Sequence, residues 1–206
     1  MEEGVALPTI TAAVDSRFLS ALKDQRVKAA SVYRTSNEKR AGGMDSAGFL
    51  SKLEKALYAS KICSYAQGFS LMKETSKKRN YDLNLAEIAR IWRGGCIIRA
   101  VFLDRIRTAF SENNRLVNLL MDACFQNDIQ DAREAWKDVL ITALQHGVPT
   151  PALSASYAYF LSYTCESLPA NLIQGQRDYF GAHTYERINQ SGIFHTQWPS
   201  PKASPS

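Results

Sequence analysis

From Leu50 to Met72 the apolar residues Leu50, Leu53, Leu57, Tyr58, Ile62, Tyr65, Phe69 and Met72 recur at helical spacing without a break. No sustained two-residue alternation occurs anywhere in the chain, so helices dominate the reading. Asp45 or Ser46 supplies a cap, and the pattern extends to about Lys78. The cluster Lys77-Lys78-Arg79 suits the negative end of the helix dipole and needs no ligand. At 1.5 Å per residue the helix is about 50 Å long. A rod of that length with a broad apolar stripe belongs at the centre of a bundle or at a subunit interface. The other elements must therefore be arranged around it.

Those elements also read as helices. Pro8 and Thr9 start the first, with Ile10, Val14, Phe18 and Leu22 at every fourth position. Arg34 to Gly43 is polar, ends in Gly42-Gly43, and reads as an exposed loop. Asn84 with Glu87 makes a capping-box-like start for a short helix ending at Trp92, which Gly94-Gly95 breaks. Another helix follows through Ile98, Phe102, Ile106 and Phe110, and Leu116 to Met121 is a short apolar turn. Residues 128–146 place Ala132, Trp136, Val139, Leu140 and Ala143 on one face. Gly147 closes that helix, and Pro149 and Pro151 prevent its continuation. Thr150-Pro151 opens the next, through Leu153, Tyr157, Phe160 and Leu161. The expected fold is all-α over residues 1–180, a large helical domain around a long central helix. An extended tail, 181–206, follows, with disorder expected over 199–206.

One internal echo suggests a duplicated helical layout. Gly4-Val5 with Pro8, Ile10, Thr11 and Ala12 matches Gly147-Val148 with Pro151, Leu153, Ser154 and Ala155 at a constant offset. Each copy is a glycine stop, an extended Val and a proline-started helix. In this register Arg17 falls opposite Phe160. An arginine where the other copy keeps an aromatic needs a reason, and ligand binding supplies one.

A chain of 206 residues is long enough to bury a real core. No window of about 18 apolar residues occurs, so no spanning helix is expected. Met1-Glu2-Glu3 is acidic, without a signal-peptide apolar region, and a cytoplasmic setting is expected. Cys63, Cys96, Cys124 and Cys165 form no C-x-x-C pair, and three of them lie in apolar helical patterns. Buried thiols in a reducing compartment are the reading, rather than a metal site or disulfides. The net charge of +5 is spread along helices and does not mark a nucleic-acid binder.

Residues 168–186 carry the most chemistry. Pro169 opens a short helix with Leu172, Ile173 and Gln176, and Gly181 ends it with a positive φ. Arg177 and His183 then sit at the helix end and in the turn beyond it, with Tyr179 and Phe180 between them. A planar guanidinium fork beside an imidazole suits an anionic ligand. Two cations that complement the helix dipole are the alternative. No G-x-G-x-x-G, P-loop, H-E-x-x-H or G-x-S-x-G occurs, and no complete catalytic constellation is present.

The block around Arg177 and His183, the run Trp92-Arg93-Gly94-Gly95-Cys96-Ile97-Ile98-Arg99 and the segment from Leu57 to Phe69 resemble the C-terminal part of 6-phosphogluconate dehydrogenase. The resemblance runs in order from Gly4 to Trp198. It implies that C3 of 6-phosphogluconate is oxidised by hydride transfer to NADP, and that loss of CO2 then gives ribulose 5-phosphate. It also implies a nicotinamide-binding domain and a catalytic Lys and Glu ahead of the helical domain. Met1 to Val5 resembles a helix end within that domain, so a fragment of a longer enzyme, inactive alone, is expected.

By this resemblance Arg17, in Asp15-Ser16-Arg17-Phe18-Leu19, holds the 6-phosphate of the substrate. Arg177 and His183 reach the same substrate in the partner subunit's site, and Ile97 lines the pocket. A homodimer with tail exchange is implied, with His195 and Trp198 packing on the partner surface, and no metal. From the residues alone the usual reading of a lone Arg17 is a solvated helix charge, of His183 a capping imidazole, and of Arg93 and Arg99 helix-surface charge, while Ile97 reads as core. A non-catalytic helical dimerisation module is the alternative function.

Overall fold

The computed structural model describes residues 2–33, 46–97 and 100–198. Its helices are α1 (Pro8–Ala21), α2 (Lys23–Tyr33), α3 (Ser46–Arg79), α4 (Leu85–Gly95), α5 (Phe102–Glu112), α6 (Ala123–Gln145), α7 (Pro151–Tyr163) and α8 (Asn171–Gly181). A 3-10 turn covers Leu119–Met121. The strands β1 (Tyr185–Glu186) and β2 (Ile193–Phe194) pair antiparallel, Tyr185 opposite Phe194 and Glu186 opposite Ile193. The chain forms two compact units, residues 1–161 and 162–206. The all-α expectation holds, because the strands are two residues each and lie after α8.

In the first unit α3 is the spine, as its spacing predicts. The face it buries differs from the expected stripe. Leu50 and Leu57 are exposed, while Ala56, Ala59, Ile62, Cys63, Ala66 and Phe69 are buried. α3 packs chiefly on α6, and small side chains let the two backbones approach closely. The larger members Leu53, Tyr58, Tyr65 and Met72 pack at the edge of the core. On α6, Ala132, Trp136, Val139, Leu140 and Ala143 are all buried, as the periodicity predicts. Phe102 lies between Tyr65 and Phe125, with ring centroids 5.1 and 5.4 Å away.

The boundaries shift where side-chain caps decide them. α6 begins at Ala123, five residues before the expected start, because Asp122 Oδ1 accepts from the N–H groups of Cys124 and Phe125 at 3.0 and 3.3 Å. Asn84 caps α4 as expected, accepting from Glu87 N at 3.1 Å. α4 continues past Trp92 to Gly95, and α5 begins only at Phe102. α2 has no counterpart in the sequence reading; its residues are all exposed and follow no apolar period. The loop expected at Arg34–Gly43 and the disorder expected at 199–206 fall outside the described residues.

The duplicated layout is visible in backbone geometry. Gly4 and Gly147 both take left-handed φ, +70° and +63°. Pro8 and Pro151 each open a helix, where proline's missing N–H costs nothing. Phe160 is buried against Trp136, while its register partner Arg17 is exposed. The copies diverge further along α1. Ile10, Val14, Phe18 and Leu22 are 37, 48, 66 and 42 % exposed, and Thr9 is the buried residue of that helix. The expected apolar stripe of α1 is thus uncovered among the described residues.

What ties α1 down is polar. Leu7 gives α1 no side-chain cap, which leaves the first N–H groups without helical partners. Gln67, fully buried on α3, replaces the cap. Its Oε1 accepts from Thr9 N at 3.0 Å, and its Nε2 donates to Thr9 Oγ1 at 2.7 Å. Thr9 Oγ1 also lies 3.0 Å from Ser156 Oγ, which links α7 to the same knot. The cysteines differ from expectation: Cys63 is buried, Cys96 half-buried, and Cys124 and Cys165 exposed. Burial pushes the Cys63 thiol up to about 12, so it stays protonated.

Gln67→Leu keeps the volume of the side chain, removes both of its bonds to Thr9 and leaves Thr9 N without its partner. It should cost about 1–3 kcal/mol, the penalty for leaving a buried donor unsatisfied. The midpoint of urea unfolding measures it, and amide exchange in α1 should accelerate. An unchanged midpoint would show that the polar knot does not hold α1.

Candidate functional site

The second unit begins in the last residues of α7 and is organised by α8. Pro169 lies ahead of this helix, whose N-cap is Ala170, so the proline stands two residues before α8 rather than in its first turn. At the other end Gly181 is the last helical residue, and Ala182 takes the left-handed conformation at φ +48°. The expected positive φ at Gly181 is therefore corrected. Glycine serves there by its missing side chain: a Cβ on Gly181 would lie 2.8 Å from His183 Nε2 and 2.9 Å from Cδ2. The bare backbone makes room for the imidazole.

Asp178 is the centre of the unit and is fully buried. Its Oδ1 accepts from Thr184 N at 3.0 Å and meets His195 Nδ1 at 2.8 Å. Its Oδ2 accepts from Thr196 N at 2.9 Å and from Trp198 Nε1 at 3.0 Å. Its backbone carbonyl accepts from Ala182 N at 2.9 Å. The tail thus folds back on α8. Trp198 stands edge-on to Tyr179, centroids 5.6 Å apart, and Arg187 lies over the Phe194 ring at 4.9 Å. Tyr185 Oη and Thr196 Oγ1 are 2.7 Å apart.

The polar atoms of His195 and Trp198 turn to Asp178 of their own chain, because a buried carboxylate needs every donor within reach. The sequence reading passed over Asp178. A signal was available: a carboxylate in the last turn of a helix opposes the dipole and asks for a compensating partner.

Arg177, one residue before Asp178, is exposed. It borders a depression of about 370 Å³ with Gln174, Thr184, Tyr185, Glu186 and Ile193. Among the described residues no side chain pairs with its guanidinium. His183 is exposed at the turn, so the structure brings Arg177 and His183 to the same end of α8. Arg17 belongs to the first unit, exposed on α1, with Nη1 donating to Ser20 Oγ at 3.3 Å. Ile97 is 99 % exposed just past α4, which removes the core reading for that residue. Arg93 pairs with Asp104 at 3.0 Å and acts as helix-surface charge; Arg99 lies outside the described residues. Among the described residues no cluster of His, Cys, Asp and Glu could hold a metal ion, and no helix is long and apolar enough to cross a membrane.

Burial alone would raise the Asp178 carboxyl. The bonds from His195, Thr196 N and Trp198 outweigh it and bring the group from 3.8 down to about 2. A carboxyl depressed by folding stabilises above its unfolded value, and that contribution is lost as pH falls through the folded one. The tail should stay closed on α8 above about pH 4 and open between about pH 4 and about pH 2. The amide resonances of Thr184 and Thr196 report the opening. Loss of both signals already at about pH 5 would contradict the low carboxyl value.

A family model described as the C-terminal domain of 6-phosphogluconate dehydrogenase matches residues 1–198. Over 197 residues the chain is 54% identical to 6-phosphogluconate dehydrogenase, decarboxylating 1, of Oryza sativa subsp. japonica, covering 96% of this chain and 41% of that relative. It is 51% identical over 198 residues to the decarboxylating 6-phosphogluconate dehydrogenase of Staphylococcus epidermidis, covering 96% and 42%. A solved structure of Plasmodium falciparum 6-phosphogluconate dehydrogenase superposes with a TM-score of 0.88 at 47% identity, covering 96% of this chain and 42% of that one. That enzyme is described in its apo form, in complex with its cofactor NADP+ and in complex with its substrate 6-phosphogluconate. The chain spans about two fifths of the length of these relatives. The family model covers residues 1–198 and the superposition covers 96% of the chain, and the chain belongs to the 6-phosphogluconate dehydrogenase C-terminal domain family.

Proposed function

We propose that this chain is the substrate-binding and dimer-forming part of an NADP-dependent, decarboxylating 6-phosphogluconate dehydrogenase. In that reaction a hydride leaves C3 of the substrate for the nicotinamide, and the resulting 3-keto acid loses CO2 to give ribulose 5-phosphate. These 206 residues contain no G-x-G-x-x-G, and the described strands are one two-residue pair, so they do not fit the role of a dinucleotide cradle. NADP and the proton-transferring Lys and Glu are assigned to residues outside this chain, which alone is inactive.

The part assigned to this chain is holding the phosphate end of the substrate, so that orientation lowers the barrier elsewhere. Arg177 and His183 of one subunit and Arg17 of the other form one composite phosphate site, and Ile97 lines the pocket. The carrying observation is the ordered end of α8, where an unpaired guanidinium and an imidazole share one turn. The exposure of Arg17 and Ile97 and the uncovered apolar positions Val14 and Phe18 beside Arg17 support it. The piece that crosses to the partner is α8 with its hairpin, because Asp178 ties residues 184–198 to that helix. A cytoplasmic setting belongs to the same proposal; one rice relative, 50% identical, is named as chloroplastic.

The test joins the first three fifths of the rice relative to this chain. In that chimera Arg177→Ala should raise KM for 6-phosphogluconate by about 10- to 150-fold, equivalent to about 1.5–3 kcal/mol for one charged hydrogen-bonding partner. KM for NADP should stay nearly unchanged. Arg17→Ala should behave alike, and the double variant should be non-additive because both residues act on one group. An unaltered substrate KM in Arg177→Ala would leave that residue a helix-end charge only. Sedimentation of the chain with and without residues 162–206 tests the exchange. Removal should weaken dimerisation, and equal affinity in both would count against it.

A further inference from the structure

Asp178 is the one fully buried carboxylate among the described residues, and it brackets His183. Ala182 on one side donates to its backbone carbonyl, and Thr184 on the other donates to its Oδ1. Both flanking residues are held at left-handed φ, +48° and +61°. A β-branched threonine is strained there, and such a conformation persists only where its surroundings over-determine it. Here the surroundings are one aspartate.

The same carboxylate leaves Arg177 unengaged. An ionised carboxylate offers about four acceptor positions. Thr184 N, His195 Nδ1, Thr196 N and Trp198 Nε1 take four, so none remains for the neighbouring guanidinium. Asp178 thus sets the place of the imidazole and keeps the adjacent cation open to solvent. It touches neither the depression beside Arg177 nor any group placed in the phosphate site.

We infer that Asp178 is a positioning residue for substrate-phosphate recognition, acting through His183 and fixing it relative to Arg177 before the substrate arrives. This rests on the proposed function and adds to it a residue that makes no contact with substrate. Its advantage is preorganisation: a histidine on a free loop would lose conformational freedom on binding, and this one is ordered beforehand.

The test uses the rice chimera and 6-phosphogluconate. Asp178→Asn puts an amide NH2 against two of the four donors. It should raise the substrate KM at least tenfold and leave the NADP KM within twofold. Introduced into His183→Ala, the same change should raise the substrate KM less than threefold, because the group it acts through is gone. An equal cost in both backgrounds would make Asp178 a structural residue only and overturn the inference. If Asp178→Asn does not fold, Trp198→Phe and His195→Ala each remove a single donor. Each should then raise the substrate KM about threefold with that for NADP unchanged; no rise in either overturns the inference. In the 206-residue chain the Thr184 and Thr196 amides should exchange slowly with solvent, and exchange as fast as in open peptides would also overturn it. The two readings fail differently. Unaltered substrate KM in both Arg177→Ala and His183→Ala removes the phosphate site itself. A rise in those two with none in Asp178→Asn removes only the positioning role.

Discussion

The close approach of α3 and α6 is the contact on which the first unit depends. α3 turns alanines and a cysteine, not its leucines, toward the interior. Small side chains give up area per residue but bring two backbones together over a long contact, where dispersion sums over many atoms. The bulk is supplied from the sides. Phe69 stacks on Phe110 and meets Trp92 edge-on, and Trp136 packs on Tyr157 and Phe160. A polar knot of Thr9, Gln67 and Ser156 then joins α1 and α7 to this core. Its donors and acceptors meet one another inside, so the buried amide is not left unsatisfied.

The second unit is stabilised by the opposite means. Its described part, 162–198, is too short to bury a large apolar core, and Leu172, Ile173, Phe180 and Ile188 are exposed. One carboxylate takes the place of the core. A buried anion without partners would be strongly unfavourable, whereas with four donors around it the unit has one arrangement that satisfies every group. That concentration makes the unit sensitive to a single side chain, as the α3–α6 contact is not.

Local chemistry was legible in the sequence wherever one residue decides it. The three-four spacing located α3 within a residue at each end, and proline and glycine marked the start of α7 and the stop after α6. What could not be read was which face of a helix meets a neighbour. Leu50 and Leu57 looked like core and are exposed, because the seam is chosen by how closely α6 approaches. α2 was missed because a wholly exposed helix leaves no apolar period to find. The candidate site divides in the same way. Arg177 and His183 stood out by residue type at a helix end. Asp178 did not, since its role depends on donors that follow it by up to 20 residues and reach it only through the hairpin.

Strain and satisfaction meet at the end of α8. Two non-glycine residues at left-handed φ would ordinarily relax, and the free energy that prevents it comes from the carboxylate between them and the tail. Glycine, which could take such a φ without strain, is used instead at Gly181, where space for the imidazole is needed. The turn therefore does not depend on glycine flexibility, and this has a consequence for binding. A loop made of glycines would adopt the bonded shape among many others, and a ligand would have to select it. A turn closed by a buried anion has that shape already, and it opens only when the anion is protonated or its donors are withdrawn. On the proposed reading, the end of the protein that meets the substrate phosphate carries its geometry within one short helix and hairpin, independent of the α3–α6 core.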